Sequence, residues 1–163
     1  MLVTIEDVFE GIQRPEYTDL YFDEPFNESI GTALHMGRML LRLDRTPDKI
    51  VRHVCYEPNH DPDSPAKQAF GTSRASFREE LVFDVRSGIG QWKTIPNMFS
   101  DRVTNTGTIT FADDPVGTRR TVKCDVKVRL FGFGGRVEKL IVREIENSYA
   151  ASAKLTREWI AKR

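Results

Sequence analysis

The residues best placed for chemistry lie near the C-terminus, at helical spacing. Glu144, Ser148 and Ser152 recur every fourth residue, so they share one face of any helix that contains them. Large apolar residues share that face and would bury Glu144. A buried carboxylate is costly without a partner, so we expect it to be paired, hydrated or protonated. Arg120 is the natural partner, because strand alternation places it on the inward face. A side chain that leans outward, to Lys123 or Arg120, is the alternative.

Other chemical groups form weaker patterns. Glu79 lies near an inward face, and either Glu79 or Glu144 could act as a general acid or base in a dry pocket, where burial raises a carboxyl pKa. The best group of metal ligands lacks tight ligand spacing: His53, His60, Asp61 and Asp63. We therefore predict neither a metal site nor a cofactor. The sequence contains no nucleophile elbow, P-loop or HExxH motif.

Composition excludes several function classes. Lys and Arg number 24 and Asp and Glu number 24, so the formal net charge of the 163 residues is zero. A neutral chain has no net field that draws it to nucleic acid or to an anionic bilayer, and we predict no nucleic-acid partner. The first residues carry acids and lack the basic stretch of a signal peptide. No apolar run approaches the ~20 residues that a membrane span needs.

The two cysteines fit the same picture. Cys55 and Cys124 each lie in a segment of alternating apolar residues, so we expect reduced, half-buried core residues. We therefore predict a cytoplasmic protein, monomeric or homodimeric, without stable membrane insertion. Its length favours a single domain over residues 1–163.

Hydrophobic periodicity predicts the order of the elements. Residues 3–9 alternate as a strand, and two short helices follow, one opened by Pro15 and one marked by Phe26, Ile30 and Leu34. A run of strands comes next, at 39–43, 50–56, 77–85, 91–95, 102–111 and 118–130. The long connection from Glu57 to Ser76 favours a functional or mobile loop. The sequence thus predicts an α+β fold with an antiparallel sheet of about six or seven strands.

The last element is predicted to be one long amphipathic helix over residues 136–162, which contain no Pro or Gly. Its apolar stripe comprises Val137, Leu140, Ile141, Ile145, Leu155 and Trp159. The middle of the stripe holds small or polar residues, namely Glu144, Ser148, Ala151 and Ser152. Either large sheet residues such as Phe83 fill the space beneath them, or a cavity lies there.

Three stretches carry a family resemblance. They are residues 132–141, GFGGRVEKLI, which lead to Ser148-Tyr149 and to residues 156–160, then residues 52–58, and residues 94–97. Together with the element order, they resemble the helix-grip fold of the START, polyketide-cyclase and birch-allergen superfamily. The nearest resemblance is to a bacterial START-like family of unknown function, and a fainter one is to PRELI-type lipid-transfer domains.

The resemblance implies a deep apolar cavity between the sheet and the long helix, which binds lipids, sterols, polyketides or other apolar molecules. We expect a carrier or sensor of such a molecule. Glu144 and Arg120 would recognise its polar end, and Phe70 would form part of a lid at the entrance. The expected lining comprises Phe83, Val122, Cys124 and Val126 from the sheet and Glu144, Ser148 and Ser152 from the helix.

Two other functions are compatible with the same fold. One is an enzyme of the cyclase, dehydratase or hydrolase kind, which would need at least two convergent polar side chains inside the cavity. The other is a protein-interaction module, since one branch of the superfamily assists chaperones. That module would need an exposed apolar patch, for which the sequence offers Trp92, Met98 and Phe99.

Overall fold

The computed structural model of the chain describes residues 1–58 and 75–163. Its elements, in chain order, are β1 (Leu2–Glu10), α1 (Arg14–Tyr21), α2 (Glu24–Ala33), β2 (Met36–Arg45), β3 (Lys49–Pro58), β4 (Phe77–Asp84), β5 (Ile89–Pro96), β6 (Val103–Asp114), β7 (Gly117–Val128) and α3 (Gly134–Ala161). The predicted α+β class and order of elements are confirmed. No helix in the described parts is long and apolar enough to cross a membrane.

The strands form one antiparallel sheet in the order β1-β7-β6-β5-β4-β3-β2. Strands β2 to β6 are each paired with the next strand in sequence, and β1 joins the far edge beside β7. The alternation predicted for β7 is confirmed, since Val122, Cys124, Val126 and Val128 are all buried. This inner face is covered by α1, α2 and α3, so the opposite face of the sheet meets solvent.

One end of the interior is filled by aromatic rings. Tyr17 of α1 stacks on Phe9 at 4.7 Å and meets Phe111 edge-on at 4.9 Å between ring centres. Phe83 contacts Phe111 at 4.9 Å and Phe22 at 5.3 Å. Aromatic pairs in such geometries contribute about 0.5–1.5 kcal/mol beyond their burial. The short helix α1 is therefore held on the sheet mainly by this cluster.

The long helix is confirmed, but its inward face is rotated from the predicted stripe. Its most buried side chains include Val142, Ala153 and Thr156, while Trp159 is 45% exposed and meets the ring of Phe26 edge-on. Small residues let the helix approach the sheet closely, and Thr156 satisfies its hydroxyl by donating to the Ser152 carbonyl at 2.8 Å. A buried face predicted from large apolar residues alone therefore leaves out Ala153 and Thr156.

At Gly107 on β6, the absence of a side chain lets the Trp92 ring and the Lys123 carbonyl lie close to the Gly107 backbone. A Cβ at this position would lie 2.1 Å from the Lys123 carbonyl oxygen and 2.6 Å from the Trp92 ring. We expect Gly107→Ala to lower the free energy of unfolding in urea by about 1–3 kcal/mol, as overpacking does. The control is Gly135→Ala near the start of α3, where a Cβ meets nothing within 4 Å. That change should stabilise the protein by up to about 1 kcal/mol. Equal effects of the two substitutions would contradict the packing at Gly107.

Candidate ligand-binding cavity

A cavity of about 370 Å³ lies between the inner face of the sheet and α3, beside the aromatic core. Residues 137–152 of α3 cover it, and α2 borders it. Most of its lining is apolar, with Ile30 and Leu34 from α2, Met98 and Val103 from the region around the start of β6, and Val137, Leu140, Ile141 and Ile145 from α3. The small residues of α3 left two alternatives open, complementary packing or a cavity, and the structure has a cavity.

Side-chain size along the strands explains which part of the interior is filled. In the filled part, Ile50, Phe83, Gly90, Ile109 and Val122 lie opposite one another across five strands. Large residues dominate this row, and Gly90 leaves room for the ring of Phe83, since a Cβ there would lie 2.9 Å from it. None of these five residues is among those that line the cavity.

A second row of residues, four positions away from the first along each of the five strands, has a different composition. Val54, Glu79, Thr94, Asn105 and Val126 lie opposite one another across the same five strands. Its three central members are polar and of modest size, so they do not reach far toward the helix. Side chains four residues apart in a strand point to the same face of the sheet, so this row also lies on the inner face. The cavity follows from this exchange of large apolar residues for smaller polar ones.

The structure brings together part of the predicted site. Glu144, Ser148, Ser152 and Arg120 all border the cavity. The four predicted apolar residues pack in the core outside this lining, because they are fully or almost fully enclosed by neighbouring side chains: Phe83, Val122, Cys124 and Val126. Phe70 lies outside the described residues, as do His60, Asp61 and Asp63. Within the described ranges, no group of three or more His, Cys, Asp or Glu side chains could hold a metal ion.

Arg120 pairs with a different carboxylate from the one expected. Its guanidinium donates to Asp7 Oδ2 at 2.6 Å and lies over the rings of Phe9 and Tyr149, at 5.1 and 5.0 Å from their centres. The expected pairing with Glu144 is wrong, because β1 and β7 place Asp7 directly opposite Arg120 in the sheet. Glu144 is exposed at the rim of the cavity, which agrees with the outward-leaning alternative.

A second buried pair, Arg52 with Glu79, lies on the cavity wall. Arg52 donates to Glu79 Oε1 and to the Tyr21 carbonyl, both at 3.2 Å, and its guanidinium lies over the rings of Tyr21 and Phe22. Burial disfavours the cation, but nearby Tyr56, Tyr21 and Glu79 hold the pKa of Arg52 above its ordinary value. The guanidinium is therefore a permanent cation that Glu79 neutralises.

Tyrosine hydroxyls add uncharged donors to the same wall. Burial, reinforced by Glu79, raises the pKa of Tyr56 to about 12. Burial also raises the pKa of Tyr149 well above its usual value. Both hydroxyls stay protonated at physiological pH, so each can donate a hydrogen bond into the cavity.

A third pair, Arg38 with Glu24, links β2 to the start of α2. The two side chains form a two-pronged contact, with Nη1 to Oε2 at 2.5 Å and Nη2 to Oε1 at 2.9 Å. Two parallel hydrogen bonds of this kind strengthen the ion pair and hold the guanidinium in one orientation. The pair holds α2 against the sheet at the edge of the cavity.

Comparison with known proteins defines the family. The family model described as "Protein of unknown function (DUF2505)" matches residues 78–160, from β4 to the end of α3. The chain belongs to this family. No functionally curated protein matches the sequence. The DUF2505 match covers most of the sheet and the whole helical roof of the cavity.

Solved structures show the fold of this DUF2505 chain. The Zhui aromatase/cyclase from Streptomyces sp. R1128 aligns with a TM-score of 0.69 at 9% identity, over 100% of this chain and 96% of that chain. The protein TTHA0849 from Thermus thermophilus aligns with a TM-score of 0.68 at 15% identity, over 99% and 98%. A START superfamily protein from Mycobacterium smegmatis aligns with a TM-score of 0.53 at 15% identity, over 99% and 97%. The resemblance to the START-like superfamily is therefore confirmed at the level of the fold.

Several residues in the cavity wall of this DUF2505 protein were not predicted from the sequence as ligand-binding residues. Arg52, Tyr56, Trp92, Asn105 and Tyr149 all border the cavity. The signal for Arg52 was present, because it alternates with apolar or aromatic neighbours on an inward face of β3. Arg120 occupies the same kind of position on β7. Arginines embedded among inward-facing apolar residues thus marked the polar part of the wall.

The patch expected for a protein-interaction module is not formed as predicted. Trp92 is only 8% exposed, because its ring lies across Gly107 on the inner face of the sheet. Met98 is half-buried and borders the cavity, and Phe99 is exposed. Trp92 therefore belongs to the cavity wall rather than to an outer surface. The cysteines are both free, with Cys55 half-buried and Cys124 buried.

Proposed function

We propose that this protein binds one small, largely apolar molecule in the cavity under α3, as a carrier or sensor. The observation that carries the proposal is the cavity itself, about 370 Å³ in volume and lined mainly by apolar side chains. Ligand sites in proteins are usually clefts of ~300–1,000 Å³ with apolar walls and a few placed polar groups. The paired arginines and the two tyrosines supply those polar groups. The cytoplasmic setting remains a prediction from the sequence.

Binding of an uncharged apolar dye tests the proposal. N-phenyl-1-naphthylamine fluoresces strongly in apolar surroundings, and it is small enough for the cavity. We expect a saturable rise in fluorescence at one dye per chain, with a Kd on the order of micromolar. Because a ligand that binds only the folded state stabilises it, the melting temperature should also rise with dye concentration. A dye signal that does not saturate, with an unchanged melting temperature, would contradict the proposal.

A second candidate function is an enzyme of the cyclase, dehydratase or hydrolase kind. The observation in its favour is the convergence of Glu79, Arg52 and Tyr56 on one cavity wall. Glu79 suits an acid–base role better than Glu144, because Glu144 is exposed at the rim. An enzyme would turn over some member of a substrate panel, and Glu79→Gln would abolish that turnover while dye binding persists. A carrier would show no turnover with either protein.

A further inference from the structure

The loop between β7 and α3 exposes two phenylalanine rings. Phe131 is fully exposed and Phe133 is 63% exposed, so Phe131 packs against no other part of the chain. Gly132 between them has a φ of +78°, a left-handed conformation that glycine adopts readily. The loop is anchored at its base, because Gly134 donates its N–H to the Leu130 carbonyl at 3.0 Å. The two rings are therefore held outward on a short loop.

A second loop, between β5 and β6, lies beside the first at the same end of the sheet. Arg129 donates its N–H to the Arg102 carbonyl at 2.8 Å, which joins the end of β7 to the segment before β6. Phe99 in this second loop is 39% exposed, and Met98 borders the cavity. Val137, in the first turn of α3, borders the cavity as well. The exposed rings thus lie at the same end of the molecule as one end of the cavity.

Positive charge is concentrated around the first loop, although the chain as a whole is neutral. Arg129, Arg136 and Lys139 are exposed, and none of them forms a salt bridge within the described residues. The one carboxylate in this stretch is Glu138, which faces inward with its side chain 22% exposed. It accepts a backbone N–H of β7 at 2.9 Å and lies 3.8 Å from the Met1 amino group.

The other carboxylates in this region do not cancel that charge. Asp101 pairs with Arg102 at 3.6 Å and adds no net charge. Over residues 125–146, the cations are Met1 through its amino group, Lys127, Arg129, Arg136, Lys139 and Arg143, and the carboxylates are Asp125, Glu138, Glu144 and Glu146. Asp125 pairs with Lys127 at 2.7 Å, and Glu144 and Glu146 lie beyond the second turn of α3. The excess of two positive charges therefore lies at the loop and the first two turns of α3.

We propose that this end of the molecule, residues 129–141, docks on the surface of an anionic phospholipid bilayer. Aromatic rings enter the interface between head groups and acyl chains, and neighbouring Arg and Lys side chains attract anionic head groups. A ring that protrudes as far as Phe131 suits this soft interface better than the surface of a globular partner. The neutral chain has no long-range attraction to such a bilayer, but the local excess acts within a Debye length of it. The proposal goes beyond ligand binding, because docking does not require an occupied cavity.

Co-sedimentation with vesicles tests the proposal. We expect the protein to sediment with vesicles of phosphatidylcholine that contain phosphatidylglycerol, and to stay in solution with vesicles of phosphatidylcholine alone. The double variant Phe131→Ser with Phe133→Ser should bind the anionic vesicles at least about tenfold more weakly. The double variant Arg136→Gln with Lys139→Gln should lose a similar factor, and added salt should weaken binding of the unmodified protein.

Matched substitutions elsewhere separate this end from the rest of the surface. Val116 is 52% exposed in the β6–β7 hairpin, at the opposite end of the sheet, so Val116→Ser should leave vesicle binding unchanged. The double variant Lys154→Gln with Lys162→Gln removes two exposed cations further along α3 and should change binding by less than about twofold.

Three results would each overturn the proposal. They are no sedimentation with anionic vesicles, equal binding to both kinds of vesicle, and a loss in Val116→Ser as large as in the double phenylalanine variant. Because both rings are exposed, the loop variants should keep their melting temperature and their dye binding in the absence of vesicles. A protein that binds dye but no vesicle would contradict docking alone, and one that binds vesicles but no dye would contradict only the ligand-binding function.

Discussion

Arg120→Met is expected to lower the free energy of unfolding by about 3–5 kcal/mol, which is the usual cost of removing one partner from a buried ion pair. Arg120 is only 2% exposed, and Asp7, its partner at 2.6 Å, has a side chain only 11% exposed. The substitution would leave the Asp7 carboxylate in the interior and would remove the cation from the rings of Phe9 and Tyr149. Arg157, at 3.3 Å from Asp7, remains, so we expect a loss toward the lower end of this range.

Urea unfolding of matched variants checks this expectation. Arg86 provides a surface pair for comparison, since its side chain is 80% exposed and pairs at 2.7 Å with Asp48, which is 60% exposed. Because surface pairs contribute little, Arg86→Met should cost less than about 1 kcal/mol. The double variant Asp7→Leu with Arg120→Met should recover most of the loss, since apolar residues often replace a buried pair without penalty. Similar losses for Arg86→Met and Arg120→Met would show that the Asp7 pair is not buried as described.

Ser148→Phe should weaken binding of N-phenyl-1-naphthylamine at least about tenfold. Ser148 borders the cavity from the helical roof, so a phenyl group at this position would occupy space that the dye needs. The added ring meets apolar neighbours, and we therefore expect the melting temperature without dye to stay the same or to rise. Fluorescence titration measures the affinity, and calorimetry measures the melting temperature.

Ala150→Phe is the control for this substitution. Ala150 is on the same helix but is exposed, so the same ring added there leaves the cavity open. Dye affinity should be unchanged in Ala150→Phe. If both variants bound the dye as tightly as the unmodified protein, the dye site would lie elsewhere on the molecule.

Local patterns predicted the framework of the site well. Strict alternation in β7 identified its buried face, and the Pro-free C-terminal segment identified α3. The small residues Ser148 and Ser152 identified the place on the helix where either complementary packing or a cavity had to lie, and a cavity is present there. Each of these inferences depends on neighbours within one element, where the periods of helix and strand determine which side chains share a face.

Contacts between distant segments could not be predicted in the same way. Arg120 pairs with Asp7, 113 residues away, because β1 returns to the far edge of the sheet beside β7. Strand order and register determine which residue pairs with Arg120, and the sequence pattern of a single strand predicts neither of them. Similarly, Glu144 shares a helical face with apolar residues but lies exposed at the rim of the cavity. The face of α3 that is most deeply buried contains Ala153 and Thr156 instead.

Native mass spectrometry of the intact protein, purified from the cells that produce it, tests the central claim most directly. We expect one bound, largely apolar small molecule per chain, which organic solvent removes and which Ser148→Phe protein lacks. Released ligand should rebind to the emptied protein and displace N-phenyl-1-naphthylamine. A protein that carries no added mass and binds neither the dye nor a cell extract's apolar molecules would contradict a ligand-binding function for this cavity.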